Sequence, residues 1–143
     1  MALPEFRDDG WLPEGHHPAE WQEVEETFGG GETRTGLTRK LLTFRNELRM
    51  LGISGYLVLD GSYISSRATP HDFDVLLVAA PGCQALVNND PQAARLLDAE
   101  YAEKQRGFSF LFVEETSGML TLIKSVWDIS KQGIPKGVVE VAL

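Results

Sequence analysis

LDGSYISSRATPHDFDV, residues 59–75, is the stretch whose reading decides this chain. It joins two apolar runs. YLVLDG, residues 56–61, lies between glycines and reads as a buried strand, and DFDVLLVAA, residues 72–80, reads as a second. The segment between them is small and polar, and Pro70 pushes Thr69 toward extended geometry, so a functional turn is expected there. Gly61 and Ser62 follow the first strand directly, nine residues intervene, and Asp72 and Asp74 open the second. Side chains two apart in a strand project to the same side, so the two carboxylates converge on one point. Like charges that close disfavour each other unless a cation neutralises them. A hard divalent ion that takes carboxylate oxygen, Mg2+ or Mn2+, suits the pair. Gly61 lets a phosphate approach the backbone, and the Ser62 hydroxyl with nearby amide hydrogens can hold phosphate oxygens. The expectation is a nucleoside triphosphate gripped by its tail, with metal bridging it to Asp72 and Asp74.

Gly61-Ser62, the spacer of nine and Asp72-Phe73-Asp74 resemble the signature of the polymerase-beta-like nucleotidyltransferase superfamily. The resemblance implies a nucleotidyltransferase fold in which Asp72 and Asp74 are catalytic and bind metal, while Gly61 and Ser62 bind the triphosphate. It also implies transfer of a nucleoside monophosphate to an acceptor. The rest of the chain resembles a bacterial and phage family of short nucleotidyltransferase-like proteins. LPEGHHPAEWQEVEETFG, residues 12–29, is similar to its amino-terminal block, and GIPKGVVEVAL, residues 133–143, to its closing block. Lys136 in that closing block is a candidate to reach the nucleotide from a neighbouring strand, against a solvated hairpin turn as the alternative. Arg67 is either a solvated charge or a phosphate ligand.

One position departs from the superfamily pattern. Active members carry a third carboxylate on a later strand, and in GFSFLFVEE, residues 107–115, the matching place holds Ser109. Glu115 lies on the same strand face but six residues on, about 20 Å away. Glu114 faces the other way unless a bulge intervenes. A neutral hydroxyl leaves less negative charge for a second ion, which puts two-metal in-line transfer in doubt. Two readings therefore stand. One is a minimal transferase acting on a protein or RNA acceptor delivered by a partner. The other is a catalytically silent pseudo-transferase that binds a partner protein. The resemblance implies a toxin–antitoxin or phage-defence setting for either.

Working outward, the chain reads as mixed α/β: one small mixed sheet with flanking helices, preceded by an extended arm. Residues 1–17 hold two prolines and scattered charges, and Leu3, Phe6, Trp11 and Leu12 suit a strap packed on a single domain at 18–143. Pro18 is expected in the first turn of a helix carrying Trp21, Val24 and Phe28. Leu37, Leu41, Phe44, Leu48 and Leu51 step by three and four along the most regular helix, ended by Gly52. Asp90-Pro91 starts a helix expected to run to Gly107 with Ala94, Leu97 and Tyr101 on one face. Residues 107–113 read as a strand buried on both faces. Thr116 or Ser117 can cap a last helix with Met119, Leu120, Ile123, Val126 and Trp127, before a terminal strand VVEVAL.

Composition sets the outer bounds. The 143 residues suit one domain, and 43% hydrophobic with 24% charged residues is that of a folded globule. Thirteen basic against 21 acidic residues give a net charge of -8, which argues against non-specific binding of DNA. No apolar run approaches a membrane span, the start MALPEFRDDG lacks a signal-peptide pattern, and one cysteine cannot form an internal disulfide. A cytoplasmic protein is expected, with Cys83 inert. His16 and His17 lack partners at ligand spacing for zinc, so His17 is expected to make a structural hydrogen bond within the arm. The three tryptophans are expected to pack between arm, first helix and last helix.

Overall fold

The computed structural model describes residues 3–71, 73–127 and 133–143; Asp72 lies outside the described residues. Five strands form one mixed sheet in the order β1-β5-β2-β3-β4. They are β1 (Gly15–Ala19), β2 (Gly55–Asp60), β3 (Asp74–Ala79), β4 (Ser109–Glu114) and β5 (Gly137–Ala142). β2 runs antiparallel to both β3 and β5, whereas β1–β5 and β3–β4 are parallel pairs.

Each face of the sheet has its own cover. Leu57, Leu59, Val75, Leu77, Val139 and Val141 share one core with α1 (Trp21–Phe28) and α2 (Glu32–Met50). In α2 the buried positions Leu37, Leu41, Phe44 and Leu48 form the stripe that the three-and-four spacing predicts. Val58, Leu76, Val78, Val113 and Val138 form a thinner core on the opposite face, under Leu120 and Ile123 of α6 (Leu120–Trp127). The alternation of strand side chains assigns residues to faces, and it places Asp60, Asp74 and Ser109 on the α6 side. The Ser117 hydroxyl accepts from the Met119 amide at 3.1 Å just before α6; the side chain of Trp127 lies outside the described residues.

The amino-terminal segment is a strap. Leu12 is fully buried, Leu3 and Phe6 pack against the main core, and the Phe6 ring meets Phe28 edge-on at 6.1 Å. The Gly137 amide donates to the Leu12 carbonyl at 3.0 Å, where the parallel pairing of β1 with β5 begins. That pairing corrects the expectation that Pro18 opens a helix. Pro18 sits in β1, at the edge of the sheet, where its missing N–H costs no ladder bond, and the helix starts at Trp21.

Two further expectations are corrected. The single helix foreseen from Asp90 to Gly107 is broken at Leu97 because a second aspartate caps a second start. Asp90 accepts from the amides of Gln92 and Ala93 at the head of α4 (Pro91–Leu96), and Asp98 accepts from Tyr101 at the head of α5 (Ala99–Tyr101). The chain then widens into a π-helical turn, Ala102–Arg106, ended by Gly107 at φ 81°. The strand from 107 to 113 is not buried on both faces, because β4 is the outermost strand and Leu111 is 46% exposed. A short helix, α3 (Cys83–Asn89), follows β3. No helix among the described residues is long and apolar enough to cross a membrane.

Candidate functional site

The antiparallel register sets Asp60, the last residue of β2, directly opposite Asp74, the first of β3. The parallel register sets Ser109, the first of β4, on the other side of Asp74. Cross-strand neighbours point to one face, so Asp60, Asp74 and Ser109 form a polar row at one end of the sheet. Gly61 follows Asp60 with φ 87° and ψ -177°, a conformation that strains any residue with a side chain. A Cβ there would stand 3.2 Å from the Asp74 nitrogen and 3.4 Å from its Oδ2, so the bare backbone of the turn lies against the Asp74 carboxylate. Ser62 opens a 3-10 turn (Ser62–Ile64), and its hydroxyl accepts from the His71 amide at 3.2 Å, tying together both ends of the loop.

Arg34, in the first turns of α2, supports this loop from beneath, and the sequence reading did not single it out. Its guanidinium donates to the carbonyls of Phe28 (3.2 Å), Tyr63 (2.5 Å), Ser65 (2.6 Å) and Arg67 (2.6 Å). Burial lowers the Arg34 pKa, partly offset by Tyr63, whose ring lies 5.8 Å below the guanidinium carbon. Tyr63 is itself fully buried, which pushes its pKa up, and its hydroxyl shares a 2.6 Å bond with Thr38. A signal was present: Arg34 stands three residues before Leu37, on the apolar stripe of α2. A charge at such a position needs partners within the fold.

Lys136 is neither a solvated hairpin residue nor an open phosphate ligand in this structure. It is 3% exposed, forms a buried ion pair with Asp60, and lies 5.1 Å from the Trp11 ring of the strap. The sequence reading passed over Asp60, although a carboxylate ending the apolar run LVLD is the kind of residue that needs a cation. Arg67 is exposed, and its carbonyl rather than its charge is engaged by Arg34. Ser109 lies beside Asp74, in register with it across the β3–β4 pair. Glu114 pairs in register with Ala79 at the far end of β3, where it accepts from the amides of Gly82 (2.8 Å) and Gln84 (3.4 Å), and the Glu115 amide bonds the Ala79 carbonyl. Neither glutamate stands near Asp74.

The histidines have structural surroundings. His17 Nε2 bonds the Pro13 carbonyl at 2.6 Å, as expected of an arm residue. His16 Nδ1 bonds Glu140 at 2.8 Å, and Glu140 also pairs with Lys124 at 2.9 Å. Burial works against the Lys124 charge, but Tyr56 and Glu140 outweigh it and hold its pKa above the usual lysine value. No group of three or more histidine, cysteine or acidic side chains arranged for a metal occurs among the described residues. Cys83 is buried, and burial, then the charge of Glu114, pushes its thiol pKa up. The thiolate is the reactive form. We expect Ellman's reagent to label Cys83 slowly in the native protein at pH 8 and at once in denaturant; equal rates in both would refute that environment.

The geometry defines a small mixed α/β protein whose polar chemistry is gathered at one corner, where a strand–Gly–Ser turn meets the start of the next strand. The chain belongs to a family of unknown function (DUF6932), which matches residues 4–142. No curated protein and no solved structure matches it.

Proposed function

We propose that this chain is a minimal nucleotidyltransferase-like protein that binds a nucleoside triphosphate with Mg2+ (or Mn2+) at the Gly61–Ser62 turn. The observation that carries the reading is the close approach of the bare Gly61 backbone to Asp74, where even a Cβ would be crowded, which sets a turn with no side chain beside a hard-oxygen donor. Asp74 fits a divalent cation, together with Asp72 of the same motif. When bound, the cation supplies charge neutralisation for the triphosphate. The residues of the turn do the rest. Gly61 admits phosphate oxygens to the backbone, Ser62 can donate its hydroxyl to one of them, and Arg34 keeps the loop in shape. In the transfer, an acceptor hydroxyl attacks the α-phosphorus, pyrophosphate leaves, and the hydroxyl proton passes to solvent; an anionic phosphate oxygen attacks in the same way with no proton to lose. The acceptor is a protein or an RNA delivered by a partner.

Ser109 favours a second reading. A serine hydroxyl beside Asp74 is no general base at neutral pH and adds no charge for a second ion. A pseudo-transferase that uses this fold as an antitoxin or scaffold for a partner protein is consistent with that loss. Incubation with labelled ATP, CTP, GTP or UTP and Mg2+, alone and with the product of the adjacent gene, separates the two. Label transfer that Asp72→Ala and Asp74→Ala abolish is the result expected of the enzyme. Tight partner binding that survives both substitutions, with no transfer, overturns transfer in favour of the scaffold. Calorimetry reads the binding step alone, and nucleotide affinity independent of Mg2+ would remove the metal from the proposal.

A further inference from the structure

The two edges of the sheet differ. At one, β1 carries Pro18, which has no N–H to offer a further strand. At the other, β4 reads SFLFVE, with no proline, lysine or arginine in it and no bulge in its register with β3. Edge strands are ordinarily blunted by such devices, because a row of free backbone groups is a template for another strand.

Which groups of β4 point outward follows from the register. The Glu115 amide donates to the Ala79 carbonyl at 2.8 Å, one residue past the pairing of Ala79 with Glu114. Backbone direction alternates along a strand, so Ser109, Leu111 and Val113 likewise aim their N–H and C=O at β3, while Phe110, Phe112 and Glu114 aim theirs away from it. The Glu114 carbonyl accepts from the Ser117 amide at 2.9 Å. That leaves Phe110 and Phe112 as the residues of β4 whose outward N–H and C=O both lack a partner among the described residues. Between them stands Leu111, 46% exposed on the α6 face beside the buried Val113, an apolar side chain that the helix does not cover.

We propose that a second copy of this chain pairs its β4 antiparallel to this one across a two-fold axis through Leu111, joining the two sheets edge to edge. In that register the free groups are self-complementary, as a two-fold contact requires. Phe110 exchanges both hydrogen bonds with Phe112 of the partner subunit, and Phe112 does the same with Phe110 of the partner subunit. Leu111 meets Leu111 of the partner subunit at a non-hydrogen-bonded position, where side chains come closest, and each covers the other's exposed face. Glu114, the one charged residue of the strand, falls opposite Phe108 of the partner subunit, so no like charges face each other. An axis through Phe112 instead would set Glu114 against Phe110 and need a carbonyl that Ser117 already engages. A contact made of one strand pair is small, so the dimer is weak. The pairing does not depend on the nucleotide reading.

Sedimentation velocity of the full chain from about 5 µM to about 500 µM, at about 0.15 M salt so that repulsion between two acidic chains is screened, should show monomer passing to dimer. Leu111→Lys, at an exposed position, sets two ammonium groups against each other on the axis and should leave monomer throughout, with an unchanged circular dichroism spectrum. The register is read with single cysteines in a Cys83→Ala background. Leu111→Cys brings its own image to a Cα separation of about 4.5 Å, within disulfide reach, whereas Ser109→Cys stands about 13 Å from its image. In a glutathione redox buffer the first should link at least about tenfold faster than the second. A chain that stays monomeric at every concentration overturns the proposal and leaves the edge to a strand of another protein. A dimer that survives Leu111→Lys overturns it too, as does equal linking at the two positions.

Discussion

Replacing Lys136 with alanine is expected to destabilise the protein by about 3–5 kcal/mol, because it strands a buried carboxylate. Asp60 is 7% exposed and Lys136 3% exposed, so water cannot take over solvation of the partner that remains. The ammonium also lies 5.1 Å from the Trp11 ring, and its removal takes away a contact that fastens the strap. Urea denaturation followed by tryptophan fluorescence reads the change directly. The double variant Asp60→Asn with Lys136→Met removes both charges, and it should recover most of the loss, since a pair traded for neutral groups is often close to neutral in stability. A loss under about 1 kcal/mol for Lys136→Ala, within the range of ordinary surface substitutions, would sink the assignment of a buried pair. So would a double variant no better than the single one.

Arg34→Ala is the second large effect, and it acts on the loop rather than on the sheet. Four carbonyls lose a charged donor at once, those of Phe28, Tyr63, Ser65 and Arg67. Hydrogen bonds to a charged group contribute about 1.5–3 kcal/mol each, although bonds sharing one guanidinium do not add. The expected cost is at least about 3 kcal/mol, or a fall of roughly 10 °C in Tm for a chain of this size. Arg34→Lys should restore only part of it, because an ammonium cannot present the planar fork that reaches four acceptors. Hydrogen exchange localises the damage: amides at 61–67 should open before those of β2 and β3. Unchanged exchange in that loop with only a global loss of stability would show that Arg34 supports the core and not the turn. On the nucleotide reading, the same variant weakens triphosphate binding, and Arg34→Lys recovers it in part.

Much of this was legible in the sequence. The apolar stripe of α2 is written in Leu37, Leu41, Phe44 and Leu48, since helical spacing alone decides which side chains share a face. Strands β2 and β3 were readable because they are buried on both sides and so run apolar without interruption. The turn between them was readable from Gly61, Ser62 and Pro70. The errors fell where local preference met a longer-range demand. Pro18 favours a helix start by itself, but pairing with β5, more than a hundred residues away, holds it in a strand. The break at Asp98 has a local signal in a second capping residue, set within the continuous apolar spacing of Ala94, Leu97 and Tyr101.

The sequence by itself determined α2, β2, β3 and the one corner worth suspecting, because spacing along a helix or strand is a local property of the chain. Only the tertiary structure decided what that corner contains. Strand order and register set Asp60 and Ser109 on either side of Asp74, burial joined Lys136 to Asp60, and α2 carried Arg34 beneath the turn. These partners lie up to 76 residues apart in the chain, and a charge buried in a low-dielectric interior finds its counterpart by proximity in space rather than by sequence.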